Sequence, residues 1–424
     1  MSILIKNGRV IDPSQNIDAY KDILIQGKHI INLFPKGKAP KSTKTVDASN
    51  CLVIPGLVDM HTHLREPGYE YKETIKTGTL AAVKGGFTTV CCMPNTNPVN
   101  DNIAVTEFII EKASKEGSCT VYPIAAVTMG QKGESLTELE ALLKAGCIAF
   151  SDDGRPVMNS LIMRRALEYS KIFDVPIISH CEDLNLSEGR VMNEGFVSTI
   201  LGLKGIPKAA EEVMVARDIS LCELTSGRLH IAHVSTKGSV NLIRGAKERG
   251  LNITAETCPH YFSISDETLI SYDTNLKVNP PIRTADDVDA IKEGLKDGTI
   301  DVIATDHAPH NFDDKNMEFD RAAFGISGIE TALQLSLRLV DSGAMNLMDL
   351  IKKMTLTPCK IMKINKGALS EGADADIAII DPEKAVTLDS SQFLSKGKNS
   401  PFNKWQLKGT VEKTIVKGKI FDWT

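Results

Sequence analysis

The stretch Leu52-Val53-Ile54-Pro55-Gly56-Leu57-Val58-Asp59-Met60-His61-Thr62-His63-Leu64-Arg65 sets an apolar run directly before a His-x-His pair. Side chains on a β-strand alternate with a period of two, so His61 and His63 project to the same side. At the end of a buried strand this geometry offers two imidazole nitrogens to one metal ion. An isolated His-x-His also arises by chance. This one gains weight because suitable residues recur at the ends of later apolar runs. The runs are Leu52 to Met60, Thr88 to Met93, Thr120 to Val127, Ile148 to Asp153, Pro176 to His180, Leu229 to Val234, Asn252 to Glu256 and Ile300 to Asp306. Between them lie amphipathic stretches such as Asn102 to Glu116, Leu161 to Phe173, Glu211 to Thr225 and Val240 to Arg249. Buried strands alternating with helices in this way predict an α/β protein built on a (β/α)8 TIM-like barrel. An open doubly wound sheet fits less well, because no Gly-rich dinucleotide fingerprint follows the first strand.

The two ends of the chain have a different texture. Ser2-Ile3-Leu4-Ile5-Lys6 and Asp22-Ile23-Leu24-Ile25-Gln26 read as short strands broken by Asn7-Gly8 and Gly27. Asp376 to Ile380 and Lys413 to Ile420 repeat the pattern near the C-terminus. Residues 1–52 and 366–424 are therefore expected to form one composite small β domain, a β-sandwich, around a catalytic barrel of residues 53–365.

Bulk properties narrow the function. A chain of 424 residues with 42% hydrophobic and 24% charged residues has the makeup of a globular protein with a large core. A net charge of −5 argues against a nucleic-acid partner, which demands a basic surface. The N-terminus has neither a signal-peptide profile nor a basic amphipathic presequence, and no apolar run reaches the roughly 18 to 20 residues needed to span a bilayer. The nine cysteines, an odd number, include no Cys-x-x-Cys pair, which favours a reduced, cytoplasmic protein; the expected partner is a small-molecule substrate.

Barrel chemistry sits at the C-terminal ends of the strands. There the sequence places His61 and His63, Asp153, His180, His233 and Asp306. Imidazole and carboxylate ligands together suit Zn²⁺, with Mn²⁺ or Co²⁺ as substitutes. Six candidates exceed the needs of one tetrahedral ion and suit a pair bridged by a carboxylate. In that arrangement His61, His63 and Asp306 hold one ion, His180 and His233 the other, and Asp153 lies between. Asp152 competes with Asp153 by proximity, and the pair also reads as a turn. Cys181 is either an additional zinc ligand or an inert buried thiol. His230 is expected to face away from His233 toward the helices, His260 either touches the site or is structural, and His307 points outward.

With these residues laid out, the chain resembles the dihydroorotases of the amidohydrolase superfamily. The resemblance rests on His61-Thr62-His63-Leu64-Arg65-Glu66-Pro67-Gly68, Met93-Pro94-Asn95-Thr96, Phe150-Ser151-Asp152-Asp153-Gly154, Ile231-Ala232-His233-Val234-Ser235 and Ala304-Thr305-Asp306-His307-Ala308-Pro309-His310. It implies the reversible closure of N-carbamoyl-L-aspartate to L-dihydroorotate, in pyrimidine synthesis, with one or two zinc ions per subunit. It also implies that Asp153 replaces the bridging carboxylated lysine of many relatives. Asp306 becomes the general base and acid. Arg65 then grips the substrate carboxylate, an assignment its emergence beside His63 also favours. Asn95 and His310 match the other carboxylate-binding positions, Asn279 a position near the ring, and Phe324-Gly325 a segment whose backbone meets the substrate. Hydantoinases, dihydropyrimidinases and allantoinases are the nearest rivals, but they usually have the lysine and lack the arginine. A non-catalytic scaffold is the rival of another class. Association with aspartate transcarbamoylase and a homo-oligomer, most simply a homodimer, are implied by the family. The acidic stretch 311–320 reads either as a mobile loop over the site or as a solvated connection.

Overall fold

The computed structural model describes residues 2–424. Two curled parallel sheets form its middle. The first contains β1 (Leu57–Thr62), β2 (Phe87–Cys92) and β3 (Thr120–Pro123). The second contains β4 (Phe150–Ser151), β5 (Ile177–Ser179), β6 (Leu229–Ile231), β7 (Ile253–Thr257) and β8 (Val302–Ile303), hydrogen-bonded in that order. Parallel bridges join the two sheets at Ala125–Phe150 and at Thr62–His307. Apart from Thr120–Tyr122 of β3 and Thr254 of β7, which are partly exposed, the strand residues are buried on both faces, which is why most strands read as unbroken apolar runs instead of alternating ones. One face packs on helices through residues such as Phe87, Val90 and Ile177. The other contributes Met60, Cys91, Ile124, Ile178, Ala232 and Val302 to a separate cluster, against which Ile361 and Met362 pack.

The four predicted helices form, with boundaries set by local chemistry. Ile103–Glu116 begins at Asn102, whose side-chain oxygen accepts from Val105 N. Ser160–Ile172 is capped by Asn159 and Lys237–Glu248 by Thr236, while Ala209–Thr225 starts two residues before its expected limit. Near the C-terminus the stretch Lys413 to Ile420 is divided by a turn at Lys417-Gly418 between the antiparallel strands Gln406–Val416 and Lys419–Asp422.

Both chain ends contribute to one nine-stranded sheet. They meet where Ile377–Thr387 runs antiparallel to Leu52–Pro55, with Ile379 opposite Val53. Its apolar core includes Ile5, Val10, Ile23, Val53, Ile377 and Ile415. The run expected as one strand from Leu52 to Met60 is two strands in different sheets. Leu52–Pro55 joins the terminal sheet and Leu57–Thr62 opens the parallel one. Gly56 marks the break, because a Cβ there would lie 2.2 Å from the Thr88 side chain. Periodicity cannot reveal this division, since both strands are buried. Among the described residues no helix is long and apolar enough to cross a membrane.

Candidate active site

The site assembles just beyond the C-terminal ends of the parallel strands. His61 lies on β1 and His63 follows it. Asp153 follows β4, His180 follows β5, His233 follows β6 and Asp306 follows β8. All six are buried. Arg65, His233 and Asp306 hold positive φ values of 63°, 33° and 45°, a conformation that costs non-glycine residues energy and persists where the surroundings enforce it. Part of that enforcement comes from Asp59, which sequence reasoning passed over. Its carboxylate accepts from His61 N at 3.1 Å, Thr305 N at 3.2 Å and Thr305 Oγ1 at 2.5 Å, tying β1 to the segment carrying Asp306. Burial pushes the Asp59 carboxyl up to about 7.

Distances define two overlapping groups, His61–His63–Asp306 and His61–Asp153–His233. Asp306 Oδ1 lies 3.0 Å from His63 Nε2 and 3.5 Å from His61 Nε2. Asp153 Oδ1 lies 3.3 Å from His61 Nε2, 3.2 Å from His233 Nε2 and 3.7 Å from His180 Nδ1. Its Oδ2 is 3.4 Å from His63 Nε2, so Asp153 is central to all four imidazoles. Burial alone would raise the Asp153 carboxyl, but the surrounding histidines outweigh it and hold the group well below the usual carboxylate range. Asp306 is lowered in the same way by His63 and His61.

Three of the imidazoles have their outward nitrogen engaged, which leaves the other for the centre. His61 Nδ1 meets Glu256 Oε1 at 2.5 Å, His63 Nδ1 donates to Asn95 Oδ1 at 2.8 Å, and His180 Nε2 meets Glu182 Oε2 at 2.9 Å. His61 Nε2 is buried without a hydrogen-bond partner although two carboxylates flank it. An inward-facing orphan nitrogen beside a carboxylate pair fits a divalent cation better than a proton-only network. Glu256, at the end of β7, is a second residue that sequence reasoning missed; the signal was an acid at an apolar strand end. Glu256→Ala is expected to weaken metal affinity by about 10- to 100-fold, as measured by competition with a chromogenic chelator.

Several open alternatives are decided by geometry. Asp152 faces away from the centre and accepts from Thr128 N at 3.0 Å and from its hydroxyl. Cys181 is also turned away: its thiol lies 3.5 Å from Ser179 Oγ and 3.6 Å from Asp218 Oδ2, and burial raises it well above its ordinary range. His230 departs from expectation. It lies on the side of Glu256, with Nε2 3.3 Å from Oε2, because His233 sits beyond the strand in left-handed backbone and alternation cannot be counted through it. His260 is buried against Tyr261, and burial lowers it to about 4. His307 is buried with Nε2 3.7 Å from Glu73 Oε2.

A cavity of about 220 Å³ opens onto the cluster and is lined by Arg65, Asn95, Asn279, Phe324 and Gly325 together with His63, Asp153, His180, His233 and Asp306. Its size suits a small ring, since drug-sized ligands occupy ~300–1,000 Å³. Asn279 Nδ2 donates to Glu182 Oε2 at 2.9 Å, linking the cavity wall to the carboxylate that holds His180. His310 lies beside Arg65, its Nε2 3.4 Å from Arg65 Nη2, and is outside the cavity lining. Burial, reinforced by Arg65, Lys72 and Lys315, keeps it neutral. Its other contacts are Nε2 with Phe324 O at 2.8 Å, and Nδ1 with Lys72 Nζ at 3.2 Å and Asp314 Oδ2 at 3.3 Å. The 311–320 segment contains a short helix, Phe312–Lys315. The Lys315 ammonium is buried on the carbonyls of Thr274, Lys277 and Ala323, so the segment is pinned to its neighbours.

A model described as "Dihydro-orotase-like" matches residues 50–239 and one described as "Amidohydrolase family" matches residues 224–422. Solved structures with the same overall fold include the L-hydantoinase (dihydropyrimidinase) of Arthrobacter aurescens, at a TM-score of 0.89, 24% identity and coverage of 99% of this chain and 95% of that one. The dihydropyrimidinase of Brevibacillus agri follows at 0.87 and 24%, with the same coverage. The fold and the second family model place the chain in the amidohydrolase class. Sequence relatives narrow the class. The dihydroorotase of Geobacter metallireducens is 58% identical over 420 residues, and that of Syntrophus aciditrophicus 56% over 421, each covering 99% of both chains. The chain belongs to the dihydroorotase family.

Proposed function

We propose that this site interconverts N-carbamoyl-L-aspartate and L-dihydroorotate. The observation that carries the reading is Arg65, a guanidinium on the wall of a small cavity whose floor is a buried His/Asp cluster. Hydantoin and dihydropyrimidine rings lack the carboxylate that such a group would bind, whereas dihydroorotate has one. Asn95 lines the same cavity, and His310 supports Arg65 from outside it; together these three make the carboxylate pocket. Asn279 and the Phe324-Gly325 backbone face the ring.

In this reading the two parallel sheets form a closed (β/α)8 barrel, supported by the bridges at both of their edges and by the cluster of strand residues between them. The terminal sheet, folded over its own apolar core, makes the separate β-sandwich expected of residues 1–52 and 366–424, extended to Pro55 by the strand Leu52–Pro55. The imidazole and carboxylate donors fit one or two zinc ions, held by His61, His63 and Asp306 and by His180 and His233, with Asp153 between. When bound, such an ion lowers the pKa of a water and polarises a carbonyl. The chain supplies the rest. Arg65 and Asn95 hold the substrate so that its ring amide faces the cluster. Asp306, kept ionised by its histidine neighbours, uses Oδ1 toward His63 and has Oδ2 for the attacking water. It takes the water's proton and delivers it to the ring nitrogen as the C–N bond breaks and the C–O bond forms. In ring closure Asp306 takes a proton from the carbamoyl nitrogen. A cytoplasmic setting, a homo-oligomer and association with aspartate transcarbamoylase belong to this reading through the family resemblance alone.

The test compares L-dihydroorotate with dihydrouracil, the same ring without its carboxylate, in the native chain and in Arg65→Ala. The native enzyme is expected to prefer dihydroorotate strongly. Arg65→Ala should lose about 100-fold in kcat/KM for dihydroorotate, the equivalent of two charge-assisted hydrogen bonds, with metal content intact. Equal use of both rings by the native chain, or loss of metal in the variant, would remove the basis for the assignment.

A further inference from the structure

The segment between Phe393 and Phe402 belongs in sequence to the C-terminal β-rich part, yet it lies against the segments that carry the substrate-facing residues. Asn399, buried at 4% exposure, carries its most heavily bonded side chain. Nδ2 donates to Ala308 O at 3.1 Å and Gly325 O at 2.9 Å. Oδ1 accepts from His310 N at 2.9 Å and Ser327 Oγ at 2.8 Å. An asparagine amide has two N–H donors and two acceptor lone pairs, so its capacity is used in full. The amide orientation is dictated by its partners: reversed, it would set its oxygen against two carbonyls and its NH₂ against the His310 N–H. The Asn399 carbonyl also accepts from Ser327 N at 2.8 Å.

Three of the four side-chain bonds therefore hold main-chain atoms of two segments, Ala308–His310 and Gly325–Ser327. These segments touch each other closely. Ala308 N donates to Ile326 O at 2.9 Å, and a Cβ on Gly325, at φ +146°, would lie 2.6 Å from Ala308 O. Asn399 itself rests on a braced platform. Glu330 accepts from Leu394 N and Ser395 N, and Glu73 accepts from the Ser395 hydroxyl at 2.5 Å.

We propose that Asn399 is a positioning residue for the substrate, locking the Ala308–His310 and Gly325–Ser327 backbones at the spacing that places His310 beside Arg65 and the Gly325 backbone on the cavity wall. Removing the amide frees two segments on the substrate side while leaving the His/Asp cluster, which makes no contact with it, as it was. The effect therefore falls on substrate binding. The inference rests on the dihydroorotase reading, and activity of the native chain tests that reading separately.

The experiment measures steady-state hydrolysis of L-dihydroorotate by metal-loaded full-length Asn399→Ala and Asn399→Asp, with metal content and thermal midpoint recorded in parallel. Asn399→Asp keeps the size and both accepted bonds, but it loses the two donated ones and sets a carboxylate oxygen against two carbonyls. Both variants are expected to raise KM roughly tenfold or more while kcat stays within about threefold and metal content is unchanged. A purely structural tie would lower the thermal midpoint and the active fraction, hence the apparent kcat, at constant KM; that result would overturn the proposal. If only the alanine variant fails to fold, the aspartate variant decides alone. Failure of both to fold would assign Asn399 to fold stability and overturn the positioning role.

Discussion

Asp306→Ala is expected to reduce dihydroorotate turnover by roughly four orders of magnitude, because it removes a proton carrier and a metal-ligand candidate together. The carboxylate lies 3.0 Å from His63 Nε2 and 3.5 Å from His61 Nε2, close enough to share a cation with both. It also faces the cavity in which the ring would sit. Asp306→Asn separates the two contributions. The amide keeps the size and one oxygen donor but cannot accept a proton at neutral pH, so metal content should be largely retained while turnover stays near that of the alanine variant. Metal content is read by elemental analysis and turnover by the loss of dihydroorotate. Appreciable activity in the asparagine variant would move the proton-transfer role to another residue. The sign of the pH dependence follows from the depressed carboxyl. A base held ionised by His63 and His61 is available throughout the neutral range and is lost only as the pH falls through its lowered value.

Chelation should have an effect of comparable size. Stripping metal from the native chain is expected to bring turnover to background, and zinc should restore it. Four imidazoles and two carboxylates converge within the cluster, with His180 Nδ1 2.8 Å from His233 Nε2 and His233 Nε2 3.2 Å from Asp153 Oδ1. His180 is raised to about 10; burial works against this, but its bonds to Asp153 and Glu182 prevail. Metal binding must displace such protons, so affinity should rise with pH and rebinding should acidify a weakly buffered solution. A metal that binds only the folded chain also raises its thermal midpoint, by about 2.7 kcal/mol of stabilisation at 100 times Kd. That midpoint is a readout independent of catalysis. A chelated protein that keeps both its activity and its midpoint would show that the cluster works without metal.

The site residues differ in how far local sequence reveals them. His61 and His63 announce themselves because two residues apart on a strand is a fixed geometric relation, and the apolar run before them marks the strand. Asp153, His180, His233 and Asp306 are legible for the same reason, each lying at or next to the end of an apolar run. Cys181 and His230 show the limit. Their directions depend on where a strand stops and how the next residue turns, and at His233 that turn is left-handed. The split of Leu52–Met60 at Gly56 is hidden in the same way, since two buried strands in different sheets share one composition.

Local pattern alone was enough for an α/β chain of alternating buried strands and helices, for β-rich ends, and for imidazoles and acids at the strand termini, because these depend on periodicities of two and 3.6 residues within short windows. Only the tertiary structure chose among partners distant in the chain: Glu256 on His61, Asp59 on Thr305, and Asn399 on Ala308 and Gly325. Those contacts span 74 to 246 positions, and nothing in a local window encodes which buried donor a folded backbone will bring to a given acceptor.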